Sequence, residues 1–380
     1  MKQPPKPSFI KNWREIETAA APPGAGEDFG FASELATAAG INHFRVAHLR
    51  IPPGRRAYPP LAMDDLEIFA FVLEGAPDLW ADGYLHRLKK GQGVALNART
   101  GLVHSLINNS QADARVFVFT EAFRRNSRAV HPMEPALKEQ LVKSGMWWEE
   151  APARMRGPNN GKPGSLAGRR RQPSEFVAHW RELLGKKPNR YPNSDEDQTL
   201  DARFDSLARF SRIAMRLQVL KPGRRTSWPH AERDESEFVY VVSGSVDAWN
   251  DGWITPMSEG DFIGWQNGTG ITHAILNNSD ADAVIIVGGE RSRFVNQYWY
   301  PFHPKYNKEI GKGYWTDHPV PKLGPHDGLP DRLRERVSAR LRRYPLLPTK
   351  PHAIWASLRS DTCYPRFVIA RLVRATQFVF

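Results

Sequence analysis

The sequence predicts an all-β protein built from two tandem copies of one barrel, with a few helices between and after them. Three observations carry that reading: an ungapped internal repeat at an offset of 169 residues, short apolar runs broken by Gly, Pro, Asn and Asp, and turn signals at matching points of both halves. Pro53-Gly54-Arg55-Arg56 recurs as Pro222-Gly223-Arg224-Arg225, Trp80 as Trp249, Gly91 as Gly260, Gly101 as Gly270 and His104 as His273. Asn108-Asn109-Ser110 returns as Asn277-Asn278-Ser279. With small shifts of register, Trp13-Arg14-Glu15 matches Trp180-Arg181-Glu182, and Pro158, Gly161 and Pro163 match Pro325, Gly328 and Pro330. Each unit therefore includes a leading arm and a trailing extension.

The β-branched and aromatic runs at 44–51, 68–75 and 114–121, with counterparts at 211–220, 237–244 and 283–290, read as strands. Ala81-Asp82-Gly83 and Asn250-Asp251-Gly252 are hairpin signals. Many short strands at regular spacing indicate a sandwich or barrel rather than a βαβ fold. Helical patterns are confined to 174–185 and to the C-terminal arm. The expected organisation is a first unit over residues 1–165, a second over 172–330 and a basic extension over 331–380, with the boundary in the Gly-, Pro- and Arg-rich stretch 161–173.

At 380 residues each unit can bury its own core without covalent staples. The single cysteine, Cys363, excludes an intrachain disulfide framework and a four-cysteine zinc site. The absence of an apolar run suited to a signal peptide or a bilayer span reads as a soluble, cytoplasmic protein without a membrane partner. A net charge of +12 raises the question of nucleic acid, but the excess sits largely in Arg169-Arg170-Arg171 and in the stretch Asp331–Arg343, and no nucleic-acid-binding motif accompanies it. Those charges read as a solvated linker and helix surface.

The chemistry lies in the second unit. His230 and Glu232 are two apart on an extended segment, so their side chains share a face. Glu237 opens the following strand, and His273 comes from a strand across the barrel. Two imidazoles with one or two carboxylates form a mixed nitrogen and oxygen set suited to Fe, Mn, Ni, Zn or Co. Trp228, Phe262 and Trp265 are candidates to line the barrel mouth, and Tyr298, Trp299 and Tyr300 to cover it; core packing is the alternative for all six.

In these residues the sequence resembles the cupin superfamily, whose first motif runs Gly-x5-His-x-His-x3-4-Glu-x6-Gly and whose second runs Gly-x5-Pro-x-Gly-x2-His-x3-Asn. The matching positions are Gly223, His230, Glu237 and Gly244, then Gly260, Gly270, His273 and Asn277, and the resemblance spans both halves. It implies two double-stranded β-helix (jelly-roll) barrels, and it puts His230, Glu237 and His273 at the family's metal-ligand positions. Glu232 stands where the family usually has a second His. It is either a fourth ligand, a general base or the partner of an Arg, and with Glu237 it is a candidate catalytic residue. In the first unit the aligned positions are Leu61, Met63 and Ile68, with only His104 kept. Glu67, one residue from Ile68, belongs to the opposite face of the strand. The first barrel is therefore expected to lack metal, as a structural or ligand-binding copy.

The expected function is a metal-dependent enzyme acting on a small polar molecule, of dioxygenase, isomerase or epimerase, or lyase type. The alternative is a non-enzymatic module that binds or senses a small ligand. A homodimer is compatible with such barrels, which pair through sheet edges.

Overall fold

Alternation along the strands builds two interiors at once. In the computed structural model, which describes residues 4–20, 27–152, 155–170, 175–292 and 294–343, the strand Ala114–Glu121 sends Val116 and Val118 into the first barrel and Phe117 and Phe119 out of it. Both faces are buried, which is why the run is apolar without interruption. The predicted tail at 344–380, Cys363 included, lies outside the described residues, as does Arg171.

Each barrel is a pair of facing antiparallel sheets. In the first, a large sheet holding Phe44–Ile51, Ile68–Glu74, Gln92–Leu96 and Ala114–Glu121 faces a sheet holding Asp78–Ala81, Tyr84–Arg87 and His104–Asn108. In the second, Ile213–Leu220, Glu237–Ser243, Asp261–Trp265 and Ala283–Glu290 face Ser245–Asn250, Trp253–Ser258 and His273–Leu276. The hairpins after Ala81 and Asn250 turn on Asp82-Gly83 and Asp251-Gly252 with φ of 45° and 82°, and 46° and 84°. Positive φ at both central residues is what a two-residue hairpin needs to match strand twist.

The two units exchange their leading arms. Ile10–Asn12 pairs antiparallel with Asp261–Trp265 of the second barrel, Ile10 opposite Ile263, and Val177–His179 pairs with Gln92–Leu96 of the first, Val177 opposite Val94. Each arm covers the other barrel's open edge. The helical expectation at 174–185 is corrected accordingly: only Trp180–Leu183 forms a helix, because the residues before it are drawn into a strand. Both short helices start on a capping box, Asn12 with Glu15 and His179 with Glu182.

Between the barrels lies one apolar core. Phe44, Phe69, Phe71, Phe117 and Phe119 of the first unit meet Phe204, Phe238, Tyr240 and Phe262 of the second. Phe238 sits 4.8 Å from Phe119 and 5.4 Å from Phe44 between ring centroids. Phe262 thus belongs to this seam and not to the mouth of the second barrel. Glu67 also faces the seam, as its parity requires: its carboxylate accepts from the backbone N–H groups of Ser211, Arg212 and Ile213 at 2.8–3.1 Å.

The residues shared by both copies form the frame. Trp80 and Trp249 donate from the indole to Asn159 O and His326 O in the trailing extensions, and Arg56 and Arg225 donate to Gly161 O and Gly328 O. Asn108 and Asn277 each bridge two backbone carbonyls that close a turn. The basic segments are also paired within the chain: Arg169 with Asp78, Arg332 with Asp280, and Arg334 with Asp327 and Asp331.

A shared core makes the two barrels one cooperative unit. Phe119→Ala is expected to cost about 3–5 kcal/mol, as truncation of a buried aromatic does, and to shift a single unfolding transition. Denaturant unfolding followed by near- and far-ultraviolet circular dichroism checks this; two separated transitions would contradict it.

Candidate metal centre

His230 and His273 lie on neighbouring segments joined by reciprocal backbone hydrogen bonds, His230 N to His273 O at 3.2 Å and His273 N to His230 O at 2.8 Å. The Nδ1–H of His230 donates to Trp228 O at 2.9 Å, and that of His273 to Ile271 O at 3.1 Å. A carbonyl only accepts, so in each ring Nδ1 carries the proton and Nε2 presents its lone pair. Glu237 enters from the opposite sheet. Its Oε2 lies 2.9 Å from His273 Nε2 and 4.0 Å from His230 Nε2. Donor atoms of His230, Glu237 and His273 all fall within 4.8 Å of one another, and all three residues are buried.

Burial sets the electrostatics. It pushes the imidazoles of His230 and His273 down to about 4, the neighbouring His273 adding to the effect at His230, and it pushes the Glu237 carboxyl up to about 7. At neutral pH both rings are uncharged. An imidazole lone pair and a carboxylate oxygen, both acceptors, hold a 2.9 Å contact only with a proton or a cation between them. His230 Nε2 and Glu232 Oε1, 3.5 Å apart, are buried without hydrogen-bond partners. The donor set and these orphaned atoms fit a divalent transition metal.

Glu232 is brought to the site but stands apart from the three-residue group. Its Oε2 accepts from Asn296 Nδ2 at 2.7 Å. Burial raises its carboxyl well above the ordinary range, and the Glu237 and Glu235 carboxyls raise it further. Glu235, which accepts from Ser292 N at 2.6 Å, is itself pushed up to about 7 by burial.

The ligands border a cavity of about 20 Å³, lined also by Gln218, Thr226 and Trp265. That is room for about one water-sized group. Trp265 stacks on His273 at 4.0 Å and donates to Asn250 Oδ1 at 2.7 Å, which fixes the ring. On the other side Tyr298–Trp299 pairs with Ala231–Glu232, Glu232 opposite Tyr298, and Tyr300 stacks on His230 at 5.4 Å. The aromatic segment past the last strand thus covers the centre. Trp228 stacks between Tyr191 and His303, at 4.0 and 3.7 Å.

Gln218, Glu235 and Asn296 escaped the sequence reading. Gln218 is the most informative: it is fully buried, and neither atom of its amide has a partner. It lies on the inward parity of Ile213–Leu220, where the first unit has Leu49, and that comparison would have exposed it.

In the first barrel, Leu61 and His104 repeat the backbone pairing of His230 and His273. His104 Nδ1 is held by Leu102 O at 3.1 Å, but Leu61, Met63 and Ile68 occupy the other positions, and among the described residues no cluster of three metal donors forms there.

The cupin domain family model matches residues 47–120 and 216–288, one stretch in each barrel. No curated protein matches the sequence significantly. Among solved structures, two single-substitution variants of Bacillus subtilis oxalate decarboxylase each share 16% identity and a TM-score of 0.50 over 81% of both chains. At that identity the likeness is one of fold.

A buried carboxyl that titrates at about 7 favours the folded state when protonated and burdens it when ionised. Its contribution is fully present below the ordinary carboxyl range and is lost as pH rises through 7. In chelator-treated protein, Glu237→Gln, neutral throughout, is expected to gain stability relative to the parent between pH 5 and pH 8. The gain should approach about 3 kcal/mol, since each pKa unit is worth about 1.4 kcal/mol. Thermal unfolding across that range checks it; a difference independent of pH would contradict it.

Proposed function

Because this chain is a two-cupin protein, with a cupin domain in each half, we propose that its second barrel is the working one: a metal-dependent enzyme site for a small polar molecule. The observation that carries the reading is the pair of imidazoles, each fixed through Nδ1 to a backbone carbonyl, whose Nε2 atoms converge with the Glu237 carboxyl in a buried group. His230, His273 and Glu237 would hold the ion, and imidazole with carboxylate suits Fe, Mn, Ni, Co or Zn. A divalent ion there would supply Lewis acidity toward an oxygen of the bound molecule.

The remaining chemistry belongs to the chain. Asn296 donates to Oε2 of Glu232, so a proton on that carboxyl sits at Oε1, the atom facing His230 Nε2 at 3.5 Å. Glu232 is therefore the proton-handling group, adjacent to the ligands without being one of the converged three. Gln218 offers one donor and one acceptor to the same cavity. Tyr298 and Tyr300 exclude water from the far side, and the small cavity makes displacement of that segment the route by which anything larger than a few atoms enters. The solved neighbours are by name decarboxylases of oxalate, a molecule in the size class proposed here. Dioxygenase, isomerase and lyase chemistry are all compatible with this set.

Elemental analysis of purified protein tests the reading. About one transition-metal ion per chain is expected, its affinity weakened by roughly 100-fold or more in His273→Ala and Glu237→Gln, and weakened less in Glu232→Gln, which removes a nearby negative charge but none of the three converged ligands. Metal content near zero in the parent, unchanged by His273→Ala, would sink the proposal. A second outcome concerns Gln218. Replacing it with the Leu of the first unit removes two unsatisfied buried polar atoms, so the metal-free protein should gain about 1–3 kcal/mol, measured by denaturant unfolding.

A further inference from the structure

A second cavity, of about 280 Å³, opens on the seam between the barrels and is separate from the metal centre. It is lined by residues of both units. Leu73 and Val242, related by the offset of 169, both line it, as do Lys90 and Glu259. The strand Glu237–Ser243 separates the two sites by parity: Val239 and Val241 pack inside the barrel, and Tyr240 faces the cleft.

Its chemistry comes from one side. Arg14 and Arg115 both lie over the ring of Trp13, their guanidinium carbons 4.4 and 4.5 Å from its centroid, and His48 stacks on the same ring at 4.1 Å. Burial, with Arg115 and Arg14 close by, holds the His48 imidazole down to about 3, so it is neutral. Arg115 is bonded through Nε to Glu74 at 3.0 Å, and Arg14 spends one Nη on the backbone of Glu259 at 3.3 Å. Arg115 forms no ion pair besides that with Glu74, and Arg14 and Lys90 form none, among the described residues. Glu74 and Glu259 also line the cavity, so its three cations, two of them on one ring, exceed its carboxylates by one, a positive balance that an anion relieves.

The second unit does without two of these residues. The equivalents of His48 and Arg115 in the second unit are Leu217 and Val284, and both pack into the apolar seam. Where the second unit has two apolar seam residues, the first has an imidazole and a guanidinium, at the corner where Trp13, Arg14 and Lys90 converge.

We infer that this seam cavity binds a small oxyanion, a phosphate group free or carried on a small metabolite, through Arg14, Lys90 and Arg115, with Leu73, Tyr240 and Val242 as the wall for any attached carbon skeleton. Binding there would clamp the two barrels together. The test is isothermal titration of the full chain at about 0.15 M salt, where charges farther apart than about 8 Å are largely screened. One arm uses inorganic phosphate and the other ribose 5-phosphate. Saturable binding is expected in at least one arm, weakened tenfold or more in Arg115→Gln and in Lys90→Gln, and less in Arg115→Lys. A tighter second arm assigns the carbon skeleton to the wall; equal affinities assign phosphate alone. Absence of binding in both arms, or binding that Arg115→Gln and Lys90→Gln leave unchanged while circular dichroism shows them folded, overturns the inference. Metal content should be the same in these variants as in the parent, so this result stands or falls apart from the metal reading.

Discussion

Everything in this molecule hangs on the aromatic seam between the barrels. A strand that is apolar on both faces cannot stand at the surface, and the large-sheet strands of both barrels, among them Ala114–Glu121 and Glu237–Ser243, would be left half exposed in an isolated unit. The seam covers them. The exchanged arms then close the remaining sheet edges with backbone hydrogen bonds that only the other unit can supply. The duplication is thus a structural requirement as well as a historical fact, because each half completes its partner.

The seam also explains how one barrel can carry a polar donor set without unsettling the fold. Strand parity assigns alternate residues to different duties. On Glu237–Ser243, Phe238 and Tyr240 anchor the strand in the seam, while Glu237 looks into the barrel. Substitution at inward positions therefore changes the contents of one barrel and leaves the seam untouched. The first unit carries Ala47, Leu49, Leu61, Met63 and Ile68 where the second carries Arg216, Gln218, His230, Glu232 and Glu237. These five differences share one parity or one mouth. The frame, with Trp80 and Trp249 tied to their trailing extensions, is the same in both.

Much of this was legible in the sequence. The repeat placed the barrels, the Asp-Gly dipeptides placed the hairpins, and the resemblance to the cupin motifs singled out His230, Glu237 and His273, which the fold brings together. Parity alone turned Glu67 away from the barrel, and it caps the backbone of Ser211–Ile213 across the seam. Three things were hidden for a physical reason. Arm exchange depends on which barrel an arm meets, and Ile10 pairs equally well in pattern with either. Phe262 alternates like any strand residue, so its placement in the seam required knowing that the outer face is buried. Gln218 and Asn296 belong to no motif, since an amide becomes informative only when its surroundings leave it unbonded or aim it at a carboxylate.

The departure from the usual ligand set follows from burial. An ion enclosed by neutral imidazoles and one carboxylate leaves the interior with one net positive charge, and uncompensated charge in a low dielectric is costly. With Glu232 ionised beside Glu237, a divalent ion and its surroundings are neutral. Without an ion the same two carboxyls face each other in a buried site, and both are driven toward their protonated forms. A divalent ion held there would therefore be coupled to protons: its binding would expel protons that burial retains on these carboxyls, and its loss would take them back. A histidine at that position would bring no negative charge and no such exchange. On the proposed reading, the carboxylate that breaks the motif would let this closed barrel take up a divalent charge and give it up without leaving a bare charge behind.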